Sequence, residues 1–349
     1  MSAMWAGVQS CKLLAAKRIY DSCFERYDKK DPSEIYGELD FSRVCDRLSR
    51  ETVRFRGKRA VLQGYIYTCK DAVGLVLVCH GMHAGADDYI PFIEYFVKNG
   101  FSVFAYDCTG TYASRGNSTV GIYTYVSDLD SALGYVERNS RLNQLPLFLF
   151  GHSCGGFAAA AILSIHKNIR ACAAIAPFHD GLELVRAKGE QYVSHLPQII
   201  QKSFPGGLID LYQCFLFGRY TRLNATLGIN STEIPIFIAH GRNDEIISFD
   251  SQSVISKKDA LREKNVHYYV GEGARSGHNS ILHSTRAVEY QEKIKSALGA
   301  LKKEKSRELT RGELADFSAS VNHSLYSEVN GEMMDDIIAI FKGSLRREK

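Results

Sequence analysis

The sequence has 349 residues and contains no long hydrophobic run. Its most apolar segments, such as 74–79 and 145–150, are as long as strands, far short of the roughly 18 residues that a membrane-spanning helix needs. We therefore expect no stable membrane insertion. The chain also has no run of basic residues interleaved with aromatic ones, and its net charge is only +4. This composition does not favour nucleic acid as a partner.

Paired cysteines are missing as well. The nine cysteines stand singly, and no two have the spacing of a metal-ligand or redox motif. Free thiols of this kind are typical of a reducing compartment. Residues 1–16 lack the charged start, the sustained apolar stretch and the cleavage site of a secretory signal, so we predict a cytoplasmic protein. His80 and His83 are close in sequence, but no cysteine or carboxylate cluster accompanies them, and we predict neither a metal nor a cofactor.

Short apolar runs alternate with helical segments from residue 74 onward. Strands that are apolar without alternation are buried on both faces, as in a parallel sheet covered by helices. Two β-type runs precede them, 51–55 and 61–67, and the short polar stretch between them predicts an antiparallel hairpin. We predict the α/β class, with a mostly parallel central sheet, an antiparallel N-terminal hairpin and helices on both faces. The six apolar runs are 74–79, 102–106, 145–150, 171–176, 234–239 and 266–270.

One connection between predicted strands is unusually long. About 57 residues separate the runs that end at 176 and begin at 234, whereas a βα crossover needs far fewer. The connection is rich in apolar side chains, among them Tyr192, Leu196 and Phe204. We predict a helical lid insertion at 178–233, between two segments of the α/β core at 41–177 and 234–301.

Helical patterns also mark both ends of the chain. We predict an N-terminal helical segment at 1–40, a helix at 280–301, and a C-terminal extension at 302–349 that contains a helix packed on the core. The N-terminal pattern consists of Met4, Val8, Cys11 and Ala15, and the C-terminal stripe consists of Met333, Ile337, Ile340 and Phe341.

The segment Gly151-His152-Ser153-Cys154-Gly155-Gly156 directly follows the run 145–150 and precedes an alanine-rich stretch. This is the nucleophile-elbow pattern, in the strand-to-helix context that it requires. Such a turn strains the backbone of its middle residue, so small residues must stand two positions on either side. We predict Ser153 as the nucleophile. A chance match to this short motif is the alternative, and the flanking strand and helix argue against it.

A serine hydroxyl is a weak nucleophile and needs a base that is oriented by a third group. His278 lies just beyond the run 266–270, and Asp244 lies just beyond the run 234–239. Both follow the carboxyl ends of strands, where a sheet of this type presents functional groups. The chain order Ser153, Asp244, His278 is the order expected for this motif, so we predict these three as catalytic residues. Glu245, beside Asp244, is the rival acid.

An acyl-transfer site also needs amide donors for the oxyanion of the tetrahedral intermediate. Met82 follows the run 74–79, so its backbone amide could pair with that of Cys154 to form an oxyanion hole. Other polar residues near these motifs have simpler explanations. We expect His152 to pack in the core, and we expect Asp107, Asp128 and Asp130 to hold loops.

Together these motifs resemble the α/β-hydrolase superfamily, over roughly residues 50–300. Within it they are most similar to the branch of monoacylglycerol lipases, serine aminopeptidases and bacterial cinnamoyl or feruloyl esterases. The resemblance implies acyl transfer to water, because dehalogenases and epoxide hydrolases of the superfamily carry an aspartate where this chain has Ser153. Cys108 and Thr109 depart from the pattern, since many relatives have a basic residue and a different turn there. The motifs are Cys79-His80-Gly81-Met82, Tyr106-Asp107-Cys108-Thr109-Gly110, Gly151-His152-Ser153-Cys154-Gly155-Gly156, His240-Gly241-Arg242-Asn243-Asp244 and Gly277-His278.

Three functions follow as hypotheses. The favoured one is hydrolysis of a small-molecule carboxylic ester with an apolar acyl or aryl group. The second is an aminopeptidase or amide hydrolase on the same triad, which would need a carboxylate near the pocket to bind a substrate ammonium group. The third is a binding protein that has kept a hydrolase fold without activity. The sequence predicts no particular oligomeric state. The acidic candidates for the second hypothesis are Asp180, Glu183, Glu190 and Asp210.

Overall fold

The computed structural model describes residues 17–18, 20–31, 34, 36–194, 206–262 and 265–346. The N-terminal pattern of Met4, Val8, Cys11 and Ala15 lies outside the described residues, and so do Leu196 and Phe204 of the predicted lid. No helix in the described ranges is long and apolar enough to cross a lipid bilayer.

An eight-stranded sheet forms the centre of the fold, in the order β1-β2-β4-β3-β5-β6-β7-β8. Strand β2 pairs antiparallel with both β1 and β4, and every other neighbouring pair is parallel. The predicted α/β class, with its antiparallel N-terminal hairpin, is confirmed. The strands are Arg50–Arg56 (β1), Val61–Tyr67 (β2), Gly74–Cys79 (β3), Phe101–Tyr106 (β4), Leu147–His152 (β5), Ile169–Ile175 (β6), Ile236–Gly241 (β7) and Val266–Gly271 (β8).

The helices pack on both faces of this sheet. Strands β3 and β5 show why their sequences are continuously apolar, since every residue in them is buried. Alternate side chains of each strand enter two separate hydrophobic clusters, one on each face. The helices are Ile90–Lys98 (α1), Tyr123–Arg138 (α2), Cys154–Ala161 (α3), Gly181–Val193 (α4), Gly206–Phe217 (α5), Ala225–Asn230 (α6), Thr285–Lys305 (α7), Arg311–Ala319 (α8), His323–Tyr326 (α9) and Gly331–Ser344 (α10).

Several strands extend beyond their apolar runs. Strand β5 continues through Gly151 and His152, which pair with Ala174 and Ile175 of β6. Because neither residue is apolar, the hydrophobic pattern predicted that this strand ends too early, at residue 150. The pairing of β5 with β6 extends to the residue before Ser153. It therefore positions Ser153 at the carboxyl edge of the sheet.

The connection between β6 and β7 is helical where the structure describes it, and it contains α4, α5 and α6. Asp180 starts α4, because its side chain accepts hydrogen bonds from the amides of Leu182 and Glu183. Ile209 and Phe217 of α5 are buried against the core. The described part of this connection therefore packs on the core, and its role as a lid stays a prediction.

The predicted helix at 280–301 has the wrong boundaries. Residues Ser280–Leu282 form one 3₁₀ turn, and α7 begins at Thr285, where the side chain of Ser284 accepts from the amide of Ala287. It continues to Lys305, four residues beyond the predicted end. The described part of α7 buries only Ala287, so an apolar stripe could not reveal its ends.

The C-terminal extension contains three helices, α8 to α10, where the sequence predicted one. The last of them belongs to the main core. Met333, Ile337 and Phe341 of α10 are fully buried. The ring of Phe341 stacks on that of Phe148 in β5, with 4.8 Å between the ring centroids. Helices α8 and α9 are short, and the only residue that they bury fully is Ser318, so they left little apolar signal.

Candidate active site

Ser153 occupies the sharp turn between β5 and α3. Its backbone has φ 54° and ψ −118°, a conformation that residues with a side chain rarely adopt. The flanking glycines permit this turn because other backbone atoms approach them closely. A β-carbon on Gly151 would lie 2.2 Å from the carbonyl oxygen of Gly155, and one on Gly155 would lie 2.1 Å from that of Cys79. The elbow thus depends on both small residues.

The structure brings the three predicted catalytic side chains together. The Oγ atom of Ser153 lies 3.0 Å from Nε2 of His278. The Nδ1 atom of His278 lies 2.7 Å from Oδ2 of Asp244. All three residues are buried. Since these loops follow the carboxyl ends of the parallel strands β5, β7 and β8, the sheet positions a continuous hydrogen-bonded chain of hydroxyl, imidazole and carboxylate.

Asp244 is held by four hydrogen-bond donors. Its Oδ1 accepts from the amides of Ile246 and Ile247 at 2.8 and 2.7 Å. Its Oδ2 faces both His278 and Nε2 of His240, the latter at 3.1 Å. Burial alone would raise the pKa of Asp244, but the hydrogen bonds from His240 and His278 hold that pKa well below its usual range.

An ionised Asp244 sets the tautomer of the histidine beside it. The carboxylate accepts a hydrogen bond from the Nδ1–H group of His278. The lone pair on Nε2 is then directed at the hydroxyl of Ser153. Sequence reasoning missed His240, the second imidazole on this carboxylate. Its only signal was its position in β7, four residues before Asp244.

Glu245, the rival acid, has a different partner. Its Oε2 accepts from the backbone amide of His278 at 3.1 Å, whereas the imidazole ring faces Asp244. Glu245 therefore holds the backbone of the loop that carries His278, whereas Asp244 holds the imidazole ring of His278.

The two predicted oxyanion donors lie beside Ser153. Met82 and Cys154 line the same cavity as Ser153. The loop that carries Met82 packs tightly on the elbow, because a β-carbon on Gly81 would lie 3.3 Å from Cβ of Ser153. Cys154 is the first residue of α3, so its amide is one of the four that a helix leaves without an internal partner. Burial raises the pKa of the Cys154 thiol to about 12, so the side chain stays neutral.

A second chain of hydrogen bonds connects the loops that carry Met82, Ser153 and His278. The amide of Gly81 donates to the hydroxyl of Tyr89 at 3.0 Å. That hydroxyl lies 2.9 Å from Nδ1 of His152, whose Nε2 lies 3.2 Å from the carbonyl oxygen of His278. Burial lowers the pKa of His152 to about 3, so the ring is neutral and can accept from Tyr89 while it donates to His278. His152 packs in the core as expected and also bridges these loops.

The other polar residues singled out in the sequence have structural partners. His80 is buried, with Nδ1 2.7 Å from the carbonyl oxygen of Gly81 and Nε2 accepting from the amide of Cys108 at 2.9 Å. His83 is exposed, and its ring lies beside that of Tyr27. Within the described ranges no group of three or more histidines, cysteines and acidic residues could hold a metal ion.

Three aspartates near the site contact protein groups. Asp107 accepts from the amide of Ala86 at 2.8 Å, and Asp128 accepts from that of Thr109 at 2.7 Å. Both residues hold loops around the site. Asp130 instead connects α2 to neighbouring segments, through contacts with His166 at 2.8 Å and with the hydroxyl of Tyr220 at 2.5 Å.

An apolar cavity of about 380 Å³ opens at Ser153. This volume lies in the range of small-molecule sites. Its walls come from several separate parts of the chain. The N-terminal segment contributes Tyr20, Cys23 and Phe24. The sequence did not predict this wall, because helical spacing identifies the apolar face of a helix but not the surface against which that face packs. The other walls are formed by Leu184, Ile209, Ile246 and Ile247, among others.

Comparisons with known proteins agree with this architecture. Residues 70–215 match the family model described as serine aminopeptidase, S33. Two bacterial proteins named uncharacterized protein YfhR are similar in sequence: that of Escherichia coli O157:H7 is 26% identical over 211 residues, and that of strain K12 is 27% identical over 214 residues. Each match covers 58% of this chain and 66% of the relative, a little under two thirds of its length.

A solved structure of the Pyrococcus furiosus esterase Pf2001 has a TM-score of 0.53 to this chain at 22% identity, covering 80% of this chain and 98% of the esterase. At this identity the likeness establishes the fold. With the family match over residues 70–215 and the strand order, it shows that the chain has the α/β-hydrolase fold and confirms the resemblance inferred from the motifs.

Proposed function

We propose that the protein is a serine hydrolase that cleaves carboxylic esters with an apolar acyl or aryl group. The observation that carries the proposal is the hydrogen-bonded chain from Asp244 through His278 to Ser153, which ends in an apolar cavity. An aspartate in place of Ser153 would favour a different reaction of the superfamily, whereas serine with an adjacent base suits acyl transfer.

The reaction follows from the placement of these groups. Nε2 of His278 removes the proton of Ser153 as Oγ attacks the ester carbonyl carbon, and Asp244 stabilises the imidazolium that forms. The amides of Met82 and Cys154 stabilise the oxyanion. The imidazolium then donates its proton to the leaving alcohol as the ester C–O bond breaks. Water attacks the acyl-enzyme by the same route and releases the acid and the free serine.

The cavity wall supports an apolar substrate. Leu184, Ile209 and Phe24 are buried side chains that would contact an acyl or aryl group. Burial of one methylene is worth about 0.8 kcal/mol, which corresponds to about a fourfold rise in kcat/KM for each added carbon. A series of 4-nitrophenyl esters from acetate to octanoate measures this directly. Equal kcat/KM values along this series would argue against an apolar acyl subsite.

An aminopeptidase or amide hydrolase is the alternative, and the description of the matched family favours it. A peptide amino terminus would need a carboxylate in the cavity, but none of the described residues that line it is acidic. Asp180 caps α4, and Asp210 pairs with Arg186. Comparing 4-nitrophenyl esters with amino-acid 4-nitroanilides separates the two functions. Faster cleavage of the anilides would reverse our ranking.

Covalent labelling by a fluorophosphonate tests the nucleophile. We expect one adduct on Ser153 in the folded protein, and none in Ser153→Ala. We expect Ser153→Ala and His278→Ala each to lower kcat for esters by roughly 10⁴ to 10⁶ without loss of folding. Ser164→Ala, in a serine beyond the far end of α3, is the matched control and should label like the wild type. No adduct in folded wild-type protein would favour the non-catalytic binding protein, and labelling that persists in Ser153→Ala would show another nucleophile.

A further inference from the structure

The cavity at Ser153 contains one charged side chain among its described lining residues. That residue is Lys188 of α4, and the remaining described lining residues are apolar or uncharged. A cation in an apolar wall is costly unless an opposite charge lies near, since a low dielectric weakens its solvation and strengthens any ion pair it makes. The identity of this one residue therefore carries information about the ligand.

The position of Lys188 follows from the geometry of α4. Leu184, Val185, Lys188, Gly189 and Tyr192 all line the cavity, and their spacing of three to four residues defines one face of the helix. Leu184 is 7% exposed and Tyr192 is 66% exposed, so the cavity runs along α4 from a buried floor to solvent. Lys188 stands four residues, about 6 Å along the helix axis, from each of these two residues. It therefore lies on the cavity face of α4 between the buried and the exposed end.

None of the ion pairs among the described residues includes Lys188, although Glu183 and Glu190 belong to the same helix. Arg186, on another face of α4, pairs with Asp210 of α5. Within the ranges that the structure describes, Lys188 itself forms no ion pair, and its side chain is half-buried. The methylene stem can pack along the apolar wall while the ammonium group stays directed at the opening.

We infer that the substrate carries an anionic group, a carboxylate or a phosphate, that pairs with Lys188 while its apolar part fills the floor of the cavity beside Ser153. This inference rests on the proposed ester hydrolysis and specifies its substrate class as an anionic amphiphile. A substrate ammonium group would meet a like charge at the same place, which further disfavours the aminopeptidase alternative.

The first test measures binding and does not depend on turnover. In the full-length Ser153→Ala protein at pH 8, titration calorimetry compares octanoate, octyl phosphate and 1-octanol. We expect at least one of the two anions to bind about tenfold more tightly than octanol, and we expect Lys188→Met in the same background to remove that preference. The affinities for octanoate and octyl phosphate show which of the two anions the protein prefers. Lys295→Met, an exposed lysine on α7, is the matched control and should leave all three affinities unchanged.

Two outcomes of the binding test would overturn the inference. One is equal affinity for the anions and octanol. The other is an anion preference that persists in Lys188→Met, which would place the anion at another group, such as the amides of Met82 and Cys154.

The second test measures specificity during turnover. 4-Nitrophenyl octanoate is compared with its ω-carboxylate analogue, and phenyl octanoate with its 4-carboxyphenyl analogue. In at least one pair we expect the anionic ester to have about tenfold higher kcat/KM, and we expect Lys188→Glu to reverse the order. Turnover without any anion preference would overturn this inference and leave the proposed function intact. If no ester is cleaved and Ser153 is not labelled, the proposed function fails, and the binding test still decides the role of Lys188.

Discussion

Replacing Asp244 with asparagine separates the orientation of His278 from the packing around it. The amide oxygen of asparagine can still accept from the amides of Ile246 and Ile247, which lie 2.8 and 2.7 Å from Oδ1. The amide nitrogen then stands where Oδ2 now accepts from His278 at 2.7 Å. Because this nitrogen donates, it favours the tautomer with the ring proton on Nε2, and that proton faces Ser153. The ring can then no longer accept the serine proton.

The expected magnitude is large for kcat and small for stability. A base held in the wrong tautomer lowers kcat by about 10⁴ in triads of this type, which corresponds to about 5 kcal/mol of activation free energy. Because Asp244→Asn keeps its shape and two of its four donors, we expect the free energy of unfolding to fall by only about 1 to 3 kcal/mol.

The assay is kcat for 4-nitrophenyl butanoate at pH 8, with circular dichroism to verify folding. Glu245→Gln is the control, since a glutamine oxygen can still accept from the backbone amide of His278. We expect it to lose less than tenfold in kcat. Activity of Asp244→Asn within tenfold of the wild type, or a greater loss in Glu245→Gln, would refute the assignment of Asp244 as the orienting acid.

Three further predictions concern the scaffold. Gly155→Ala should lower the melting temperature and abolish activity, since its β-carbon would lie 2.1 Å from a carbonyl oxygen. Phe341→Ala should lower the free energy of unfolding by about 3 to 5 kcal/mol in urea titrations, because it opens a cavity in the core. The buried histidines should also lower the free energy of unfolding as the pH falls below about 6.5. Burial lowers the pKa of His80 to about 4 and that of His152 to about 3, so these rings take up protons mainly on unfolding.

These predictions have internal controls. Gly299→Ala places a methyl group on α7 with no atom within 4 Å and should leave the melting temperature unchanged or raise it. Lys342→Ala changes the exposed neighbour of Phe341 and should cost under 1 kcal/mol. Each neutral buried histidine should contribute up to about 1.4 kcal/mol per pH unit between about pH 6.5 and its folded pKa. Burial also raises the pKa of Asp107 and of Asp128 to about 6, which acts in the opposite direction below that pH, so the test compares the wild type with His152→Gln. An equal pH dependence of the two unfolding free energies from pH 6.5 to 5 would show that His152 is not among the groups involved.

The sheet was predictable because its central strands are buried on both faces and are therefore continuously apolar. The elbow was predictable for a different local reason. The pattern Gly151-His152-Ser153-Cys154-Gly155 encodes a backbone conformation, since only small residues allow the turn to pass so close to neighbouring carbonyl groups. Helix α7 was placed poorly because it is mostly exposed and its ends depend on capping by Ser284, not on an apolar stripe.

The sequence by itself determined the fold class and which residues follow the carboxyl ends of the strands, because burial and turn geometry leave local patterns. Only the tertiary structure decided which of them meet. It distinguishes Asp244 from the adjacent Glu245 through the turn after β7, places His240 on the same carboxylate, and brings Tyr20 and Lys188 to one cavity. These relations depend on contacts between distant segments, such as the 125 positions that separate Ser153 from His278, and no local periodicity records them.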